Sequence, residues 1–347
     1  MTDAALTPSA AMPPIAVLGA GSFGTALAIQ FARRGSTTRL WGRDAVALAE
    51  AERARRNARY LPDCEFPATL VATANLGAAL REAEEVVIAT PSHALRAMLG
   101  ALQEAIATSA AAPKGVIIAC KGFEPGSGKL AHEVSAEVLG DAHPYAVLSG
   151  PTFAAELGRG LPTAVIIASR DDSLATRIAH RLNGGGFRAY TGRDVVGVEL
   201  GGAAKNVIAI AAGTSDGLGF GANARSLLIT RGLAEMRRLG EKMGAESETL
   251  MGLAGLGDLV LTCTDDQSRN RRLGLLLAAG KSLAEASAEI RQVVEGVKAA
   301  PEVLRLARRF EVAMPITEMA CAVLEGRMTP REAFATLASR SVRAEAK

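Results

Sequence analysis

The chain has 347 residues, 49% hydrophobic and 22% charged, with a formal net charge of +3 and 4 cysteines. This length suits two domains with buried cores, and the composition is that of a globular enzyme rather than of a fibrous or low-complexity chain. The weak charge, with no basic block and no aromatic-studded stripe, excludes nucleic acid as the expected partner, and no apolar run approaches the roughly 20 residues that span a bilayer, so no membrane insertion is expected.

Residues 1–14 are rich in Ala and Pro but lack a cationic start and an apolar core, so they read as a disordered tail and not as a signal peptide. The next stretch, Ile15–Leu27, reads I-A-V-L-G-A-G-S-F-G-T-A-L. A short apolar strand breaks there into Gly19-x-Gly21-x-x-Gly24 and runs on into a helix over Thr25–Arg34. Gly19 permits a tight turn, Gly21 lets backbone N–H groups approach a pyrophosphate, and Gly24 lets the helix lie close to the strand. The anion then sits at a helix N-terminus, where unpaired N–H donors and the helix dipole favour negative charge. The pattern predicts a dinucleotide cofactor, NAD or NADP.

Further apolar runs predict strands at Thr38–Trp41, Val86–Ala89, Val116–Ala119, Ala146–Leu148 and Ala164–Ala168, with helices between them such as His93–Ala107 and Ser173–Leu182. The second strand ends in Trp41-Gly42-Arg43-Asp44. Arg43 suits an adenine face or a 2′-phosphate and Asp44 suits the ribose hydroxyls, so the choice between NADP and NAD stays open. Phe123-Glu-Pro-Gly-Ser-Gly128-Lys129-Leu130 imitates the end of a P-loop but lacks its first Gly and its final Ser or Thr, and is discarded as an ATP site.

From about Asp194 the strand signal fades, and Leu200–Ala212, Ala222–Met243, Asn270–Ala278, Ser282–Glu289 and Pro301–Arg309 read as helices. The expected architecture is an α/β, Rossmann-like dinucleotide-binding domain over 15–193 followed by an all-α substrate domain over 194–347. The four cysteines (Cys64, Cys120, Cys263, Cys321) lie far apart, with neither a C-x-x-C pair nor a histidine at metal spacing, so no metal is expected and the thiols read as reduced in a cytoplasmic setting.

Three segments of the second half carry isolated polar residues among small ones. Gly201-Gly-Ala-Ala-Lys205-Asn206-Val-Ile-Ala-Ile places a lysine in a helix with no polar face to solvate it. Desolvation and a neighbouring cation lower a lysine pKa, which makes Lys205 a candidate general acid or base. Gly252-Leu-Ala-Gly-Leu-Gly-Asp258 offers one carboxylate after a glycine-rich turn, placed either to orient an ammonium or to cap a helix. Ser268-Arg269-Asn270 opens a helical segment, and a guanidinium fork at a helix start is a grip for a phosphate dianion. Arg271 and Arg272, which follow, read as a solvated basic face.

Together these motifs resemble the bacterial-type NAD(P)-dependent glycerol-3-phosphate dehydrogenases. The carrying stretches are G-A-G-S-F-G, A-T-P-S-H, C-K-G-F-E, S-G-P-T-F-A-x-E, G-G-A-A-K-N-V-I-A-I, G-x-G-F-G-A-N-A-R, A-G-L-G-D-L-V-L-T-C-T, S-R-N-R-R and V-V-E-G. The resemblance implies reduction of dihydroxyacetone phosphate to sn-glycerol 3-phosphate with NADPH or NADH, reversibly, in supply of glycerophospholipid synthesis; a homodimer is compatible with it. It further implies that Ser22, Phe23, Arg43, Lys121, Ala154, Arg269, Val293 and Glu295 contact the cofactor. Lys121, Gly150, Thr152, Lys205, Asp258, Ser268, Arg269 and Asn270 would line the substrate site, with Lys205 moving the proton and Asp258 and Lys121 beside it. Two alternatives compete: a related two-domain dehydrogenase for a hydroxy acid, which would not need the Ser268–Asn270 phosphate grip, and a non-catalytic NAD(P)-binding redox sensor, which would not need an ammonium at Lys205.

Overall fold

A computed structural model describes residues 12–108, 112–141 and 143–339. Residues 1–11 of the expected tail lie outside the described residues, whereas Met12–Pro14 are the first three residues of a strand. Two compact units divide the chain. The first comprises Met1–Cys120, Ala131–Leu148 and Thr152–Val195; the second comprises Lys121–Leu130, Ser149–Pro151 and Val196–Lys347. Two short excursions from the α/β half therefore pack within the helical unit.

The first unit is built on an eight-stranded sheet. Its strands are β1 (Met12–Leu18), β2 (Ser36–Trp41), β3 (Leu70–Thr73), β4 (Glu85–Ile88), β5 (Gly115–Ile118), β6 (Tyr145–Ser149), β7 (Thr163–Ala168) and β8 (Phe187–Gly192). The spatial order is β3-β2-β1-β4-β5-β6-β7-β8. The pairings from β3 through to β6 are parallel, as is β7 with β8. β3 and β8 were not among the sequence-predicted strands. β3 is only four residues long, and β8 is half-exposed along its length, so neither presents an apolar run.

The helices of this unit are α1 (Ser22–Arg33), α2 (Ala45–Ala54), α3 (Leu76–Leu80), α4 (Leu95–Ala107), α5 (Ala131–Leu139), α6 (Ala154–Arg159) and α7 (Asp172–Leu182). α1 is deeply buried: every residue from Gly24 to Ala32 is buried, which its run of Ala, Leu and Ile permits. At the amino-terminal edge of the sheet, buried Arg181 of α7 pairs with buried Glu85 of β4 and donates to the Pro13 carbonyl and, at 3.2 Å, to Ser36 Oγ. One guanidinium thus ties three strands together.

The second unit is helical: α8 (Val195–Gly217), α9 (Gly221–Met243), α10 (Ser247–Met251), a π-helical turn at Leu253–Gly257, α11 (Asp258–Thr264), α12 (Arg269–Ala278), α13 (Leu283–Ile290), α14 (Glu295–Arg309), α15 (Pro315–Leu324) and α16 (Pro330–Ala338). α8 is long and apolar enough to cross a bilayer, against the expectation that no segment is, because Glu199, Lys205, Asn206 and Asp216 interrupt its apolar run without making it polar. It is the core helix of the unit, almost wholly buried among its neighbours. α14 begins six residues before the predicted start at Pro301 and contains that proline in its interior. Burial of Ala299, Ala300, Val303, Leu304 and Ala307 outweighs the lost backbone bond. The start of α15 has no local side-chain cap; buried Glu235 of α9 supplies one, accepting from the N–H of Ile316 at 2.7 Å and of Thr317 at 3.3 Å.

Removing one partner of a buried ion pair strands the other charge. Arg181→Ala is expected to lower the unfolding free energy by about 3 kcal/mol, and Glu85→Leu with Arg181→Leu to lower it by less, as urea denaturation of both variants would measure.

Candidate active site

In the first unit the glycine-rich turn leaves the carboxyl end of β1, beside that of β4, where the strand order reverses. Open parallel sheets bind their ligands at this switch point. Gly19 has φ +125°, and a Cβ on it would lie 2.6 Å from the Ala89 carbonyl oxygen just beyond β4. A Cβ on Gly24 would lie 1.9 Å from the Gly19 carbonyl oxygen, so helix and turn are in contact there. Gly21 differs: a Cβ there would meet nothing within 4 Å, and the residue caps α1 without a side chain. The turn is tight on two sides and open on the third. Thr90 Oγ1, next to the Gly19 contact, is buried without a hydrogen-bond partner.

Phe23 and Ala154 pack against the apolar core of this unit. Ser22 begins α1, and Thr152 precedes α6 by two residues. Arg43 is exposed beyond β2. Asp44 is the N-cap of α2, accepting from the Ala47 N–H at 3.0 Å, which gives this carboxylate the helix-capping role and leaves Arg43 as the free charge of the loop.

The second unit gathers Lys121, Gly150, Lys205 and Asp258 around one carboxylate. Asp258, 1% exposed, opens α11 directly after the π-helical turn. Its Oδ2 accepts from Lys121 Nζ at 2.8 Å and its Oδ1 from Lys205 Nζ. Lys121 Nζ also donates to the Gly150 carbonyl at 2.9 Å, and Lys205 Nζ to Thr262 Oγ1 at 2.8 Å. Thr262 lies one helical turn after Asp258 and donates back to the Asp258 carbonyl at 2.6 Å. Sequence reasoning did not single it out, although i,i+4 spacing on α11 places it on the carboxylate's face.

Small residues make this convergence possible. A Cβ on Gly201 would come within 2.5 Å of the Ala254 carbonyl oxygen, and one on Gly202 within 2.8 Å of Ser149 Oγ. α8 therefore lies directly on the turn that presents Asp258, and Lys205, one turn after Gly201, reaches it. Ser149 Oγ is buried without a hydrogen-bond partner beside Gly202 and the stem of Lys121.

A second group surrounds the start of α12. Ser268 is its N-cap, with Oγ accepting from the Arg271 N–H at 3.2 Å. Arg269 is exposed and donates to the Val293 carbonyl at 2.9 Å, and the Glu295 carboxylate acts on it electrostatically. The Asn270 amide is buried, donating to Asn206 Oδ1 at 2.8 Å and accepting from the Gly296 N–H at 2.9 Å. Asn270 thus joins α12 to α8 and α14. Asn206 is the residue after Lys205, so the two groups are adjoining parts of one structure.

Arg271 corrects the sequence reading. It is not part of a solvated basic face: it is 9% exposed, paired with Asp216 of α8 and, at 2.9 Å, with Asp266. The P-loop imitation is self-satisfied, since the Gly126 N–H donates at 2.7 Å to Glu302 of α14. Among the described residues no group of three or more His, Cys, Asp or Glu is placed to hold a metal, and all four cysteines are buried and outside any disulfide.

Comparison with known proteins identifies the pattern. The family models described as the N-terminus and C-terminus of NAD-dependent glycerol-3-phosphate dehydrogenase match residues 14–175 and 194–335. A curated glycerol-3-phosphate dehydrogenase [NAD(P)+] of Idiomarina loihiensis is 53% identical over 334 residues, covering 96% of this chain and 99% of the relative. The crystal structure of a glycerol-3-phosphate dehydrogenase from Coxiella burnetii superposes with TM-score 0.90 at 44% identity, covering 94% of this chain and 99% of that one. A probable 2-dehydropantoate 2-reductase of Bacillus subtilis superposes with TM-score 0.55 at 14% identity over 91% of this chain and 100% of that one, a likeness of fold alone.

Burial lowers the pKa of Lys205 and the Lys121 charge lowers it further, while Asp258 opposes both; the result is about 8 against an ordinary 10.5. Between those values the unfolded chain holds this proton and the folded chain has released it, so stability rises with pH there and is lost again as pH falls through about 8. Chemical denaturation at about pH 8 and about pH 10 is expected to show this rise in the wild type and a smaller one in Lys205→Met.

Proposed function

The chain belongs to the NAD-dependent glycerol-3-phosphate dehydrogenase family, and we propose that it interconverts dihydroxyacetone phosphate and sn-glycerol 3-phosphate through Lys205, with the start of α12 holding the phosphate. The observation that carries this reading is the buried Asp258 carboxylate shared by two ammonium groups. Such an arrangement places positive charge and a transferable proton at one point, as reduction of a ketone requires.

The first unit fits NAD(P). Gly21 leaves open space before the amino end of α1, Gly19 and Gly24 hold the turn tight behind it, and Thr90 Oγ1 is an unmet hydrogen-bonding group at the same switch point. The backbone of Gly19, Gly21, Ser22, Phe23 and Gly24 would hold the pyrophosphate, with Arg43 toward the adenosine ribose. Asp44 is committed to its helix, so Arg43 favours use of NADP without excluding NAD. Lys121, Ala154, Arg269, Val293 and Glu295 would complete the cofactor contacts. When bound, the nicotinamide supplies hydride to the ketone carbon or takes it from the alcohol.

The residues of the chain do the remainder. Arg269, with the N–H groups that open α12, binds the phosphate and so positions the three-carbon substrate. Ser268 and Asn270 act there chiefly by holding α12 in place, because Ser268 Oγ accepts from Arg271 and the Asn270 amide bridges Asn206 and Gly296. Gly150 and Thr152 would line the substrate's other side. Asp258 holds Lys121 and Lys205 in fixed geometry, so their charges stabilise the alkoxide as it forms. Lys205 then gives its proton to that oxygen; in the oxidative direction neutral Lys205 removes it. The phosphate grip distinguishes this reading from a hydroxy-acid dehydrogenase, and the two lysines on one buried carboxylate distinguish it from a redox sensor. Four buried cysteines outside any disulfide suit a cytoplasmic location, where the product would feed glycerophospholipid synthesis.

Lys205→Met is expected to lower kcat about 1000-fold with dinucleotide affinity retained, in steady-state assays and cofactor-fluorescence titration. Arg269→Ala is expected to act mainly on KM for dihydroxyacetone phosphate. Because only neutral Lys205 accepts a proton, glycerol 3-phosphate oxidation is expected to rise with pH through about 8 and ketone reduction to fall, as pH profiles of both directions would record.

A further inference from the structure

The phosphate grip stands on α12, and α12 is held against α8 by contacts that the reaction itself does not use. Glycines bring the two backbones together: a Cβ on Gly213 would lie 2.0 Å from the Arg271 carbonyl oxygen, and one on Gly274 would lie 2.2 Å from that of Ile210. At one end of this contact Asn270 binds Asn206, beside Lys205. At the other, Asp216 Oδ2 accepts from Arg271 of α12 and, at 2.8 Å, from Arg225 of α9.

Asp216 is oddly placed for a carboxylate that only solubilises. It occupies the last turn of α8, where the helix dipole disfavours negative charge, and its side chain is 10% exposed. Two guanidiniums offset both costs. Arg271 is in turn fixed on its other side by Asp266, whose own side chain is exposed. Arg271 lies two residues after Arg269 on the same helix, so an immobile Arg271 fixes the register of Arg269. Lys205 and Asp216 are separated by about 16 Å along α8, and the docking of α12 across this span sets the distance from proton donor to phosphate holder.

We propose that Asp216 is a positioning residue for the substrate phosphate, acting through Arg271 on Arg269. The proposal rests on the reading that Arg269 binds the phosphate. It assigns to Asp216 no contact with substrate or cofactor.

The test compares dihydroxyacetone phosphate with dihydroxyacetone, the same ketone without the anion, in steady-state reduction, together with inhibition by inorganic phosphate. Asp216→Asn is expected to raise KM for dihydroxyacetone phosphate and Ki for inorganic phosphate in parallel, each about 10-fold, with kcat changed less than about 2-fold and kcat/KM for dihydroxyacetone unchanged. A merely structural role would lower both substrates' kcat/KM together, and that result, or unchanged KM and Ki, overturns the proposal. Should Asp216→Asn not fold, the exposed Asp266→Asn decides the matter: a smaller parallel rise of KM and Ki supports the proposal, and no change overturns it. Arg269→Ala separates the two claims. If it leaves KM and Ki unchanged, the phosphate reading itself fails and this inference falls with it; if it raises them while the aspartate variants do not, only the inference fails.

Discussion

One carboxylate organises the helical unit. Asp258 is 1% exposed and carries two ammonium groups, one from the loop after β5 and one from the core helix α8. A single negative charge cannot neutralise two positive ones, and burial of Asp258 and Lys205 keeps out solvent that would otherwise screen them. Burial is what lowers the pKa of Lys205, to about 8, with the Asp258 charge opposing it and the Lys121 charge adding to it. In the proposed reaction the two ammonium groups would meet a negative charge that appears only as the ketone oxygen becomes an alkoxide.

Bringing three elements to one carboxylate needs close backbone approach. That requirement accounts for the density of small residues along α8 and at the Leu253–Gly257 turn. Gly201 lies on the Ala254 carbonyl, Gly202 on Ser149, Gly213 on Arg271 and Gly217 on Ala278. Each contact would be lost to a methyl group. A helix so lined gains little from its own side chains and depends on the neighbours packed against it, which is why it is both the most apolar long helix and among the most buried. Polar residues on such a helix are costly unless partnered. Lys205, Asn206 and Asp216 have their partners, and all three bear on the site.

The two excursions of the chain into the helical unit follow the same logic. Lys121–Leu130 carries Lys121 at its start and is fixed by buried Phe123 and Leu130 and by the bond from Gly126 to Glu302. Ser149–Pro151 carries the carbonyl that accepts from Lys121. The strands β5 and β6 end where these segments begin.

Local sequence determined a good deal of this protein by itself. The strand, the glycine turn and the helix from Ile15 to Arg34, the parallel α/β pattern, the helical second half and the oddity of Lys205 among small residues are all set by periodicity and by the conformational freedom of glycine, which act over a few residues. Tertiary structure alone decided the rest. It decided that β3 and β8 are strands, because pairing with a neighbour outweighs a weak local pattern. It decided that α14 runs through Pro301, that Asp44 caps a helix and that Arg271 is buried between two carboxylates, whereas its neighbours in sequence read as a solvated basic run. Above all it joined Lys121, Lys205 and Asp258, which lie 84 and 53 residues apart along the chain. Charge pairing in a buried site depends on distance in space and on loss of solvent, and neither quantity is written in the spacing of residues along a chain.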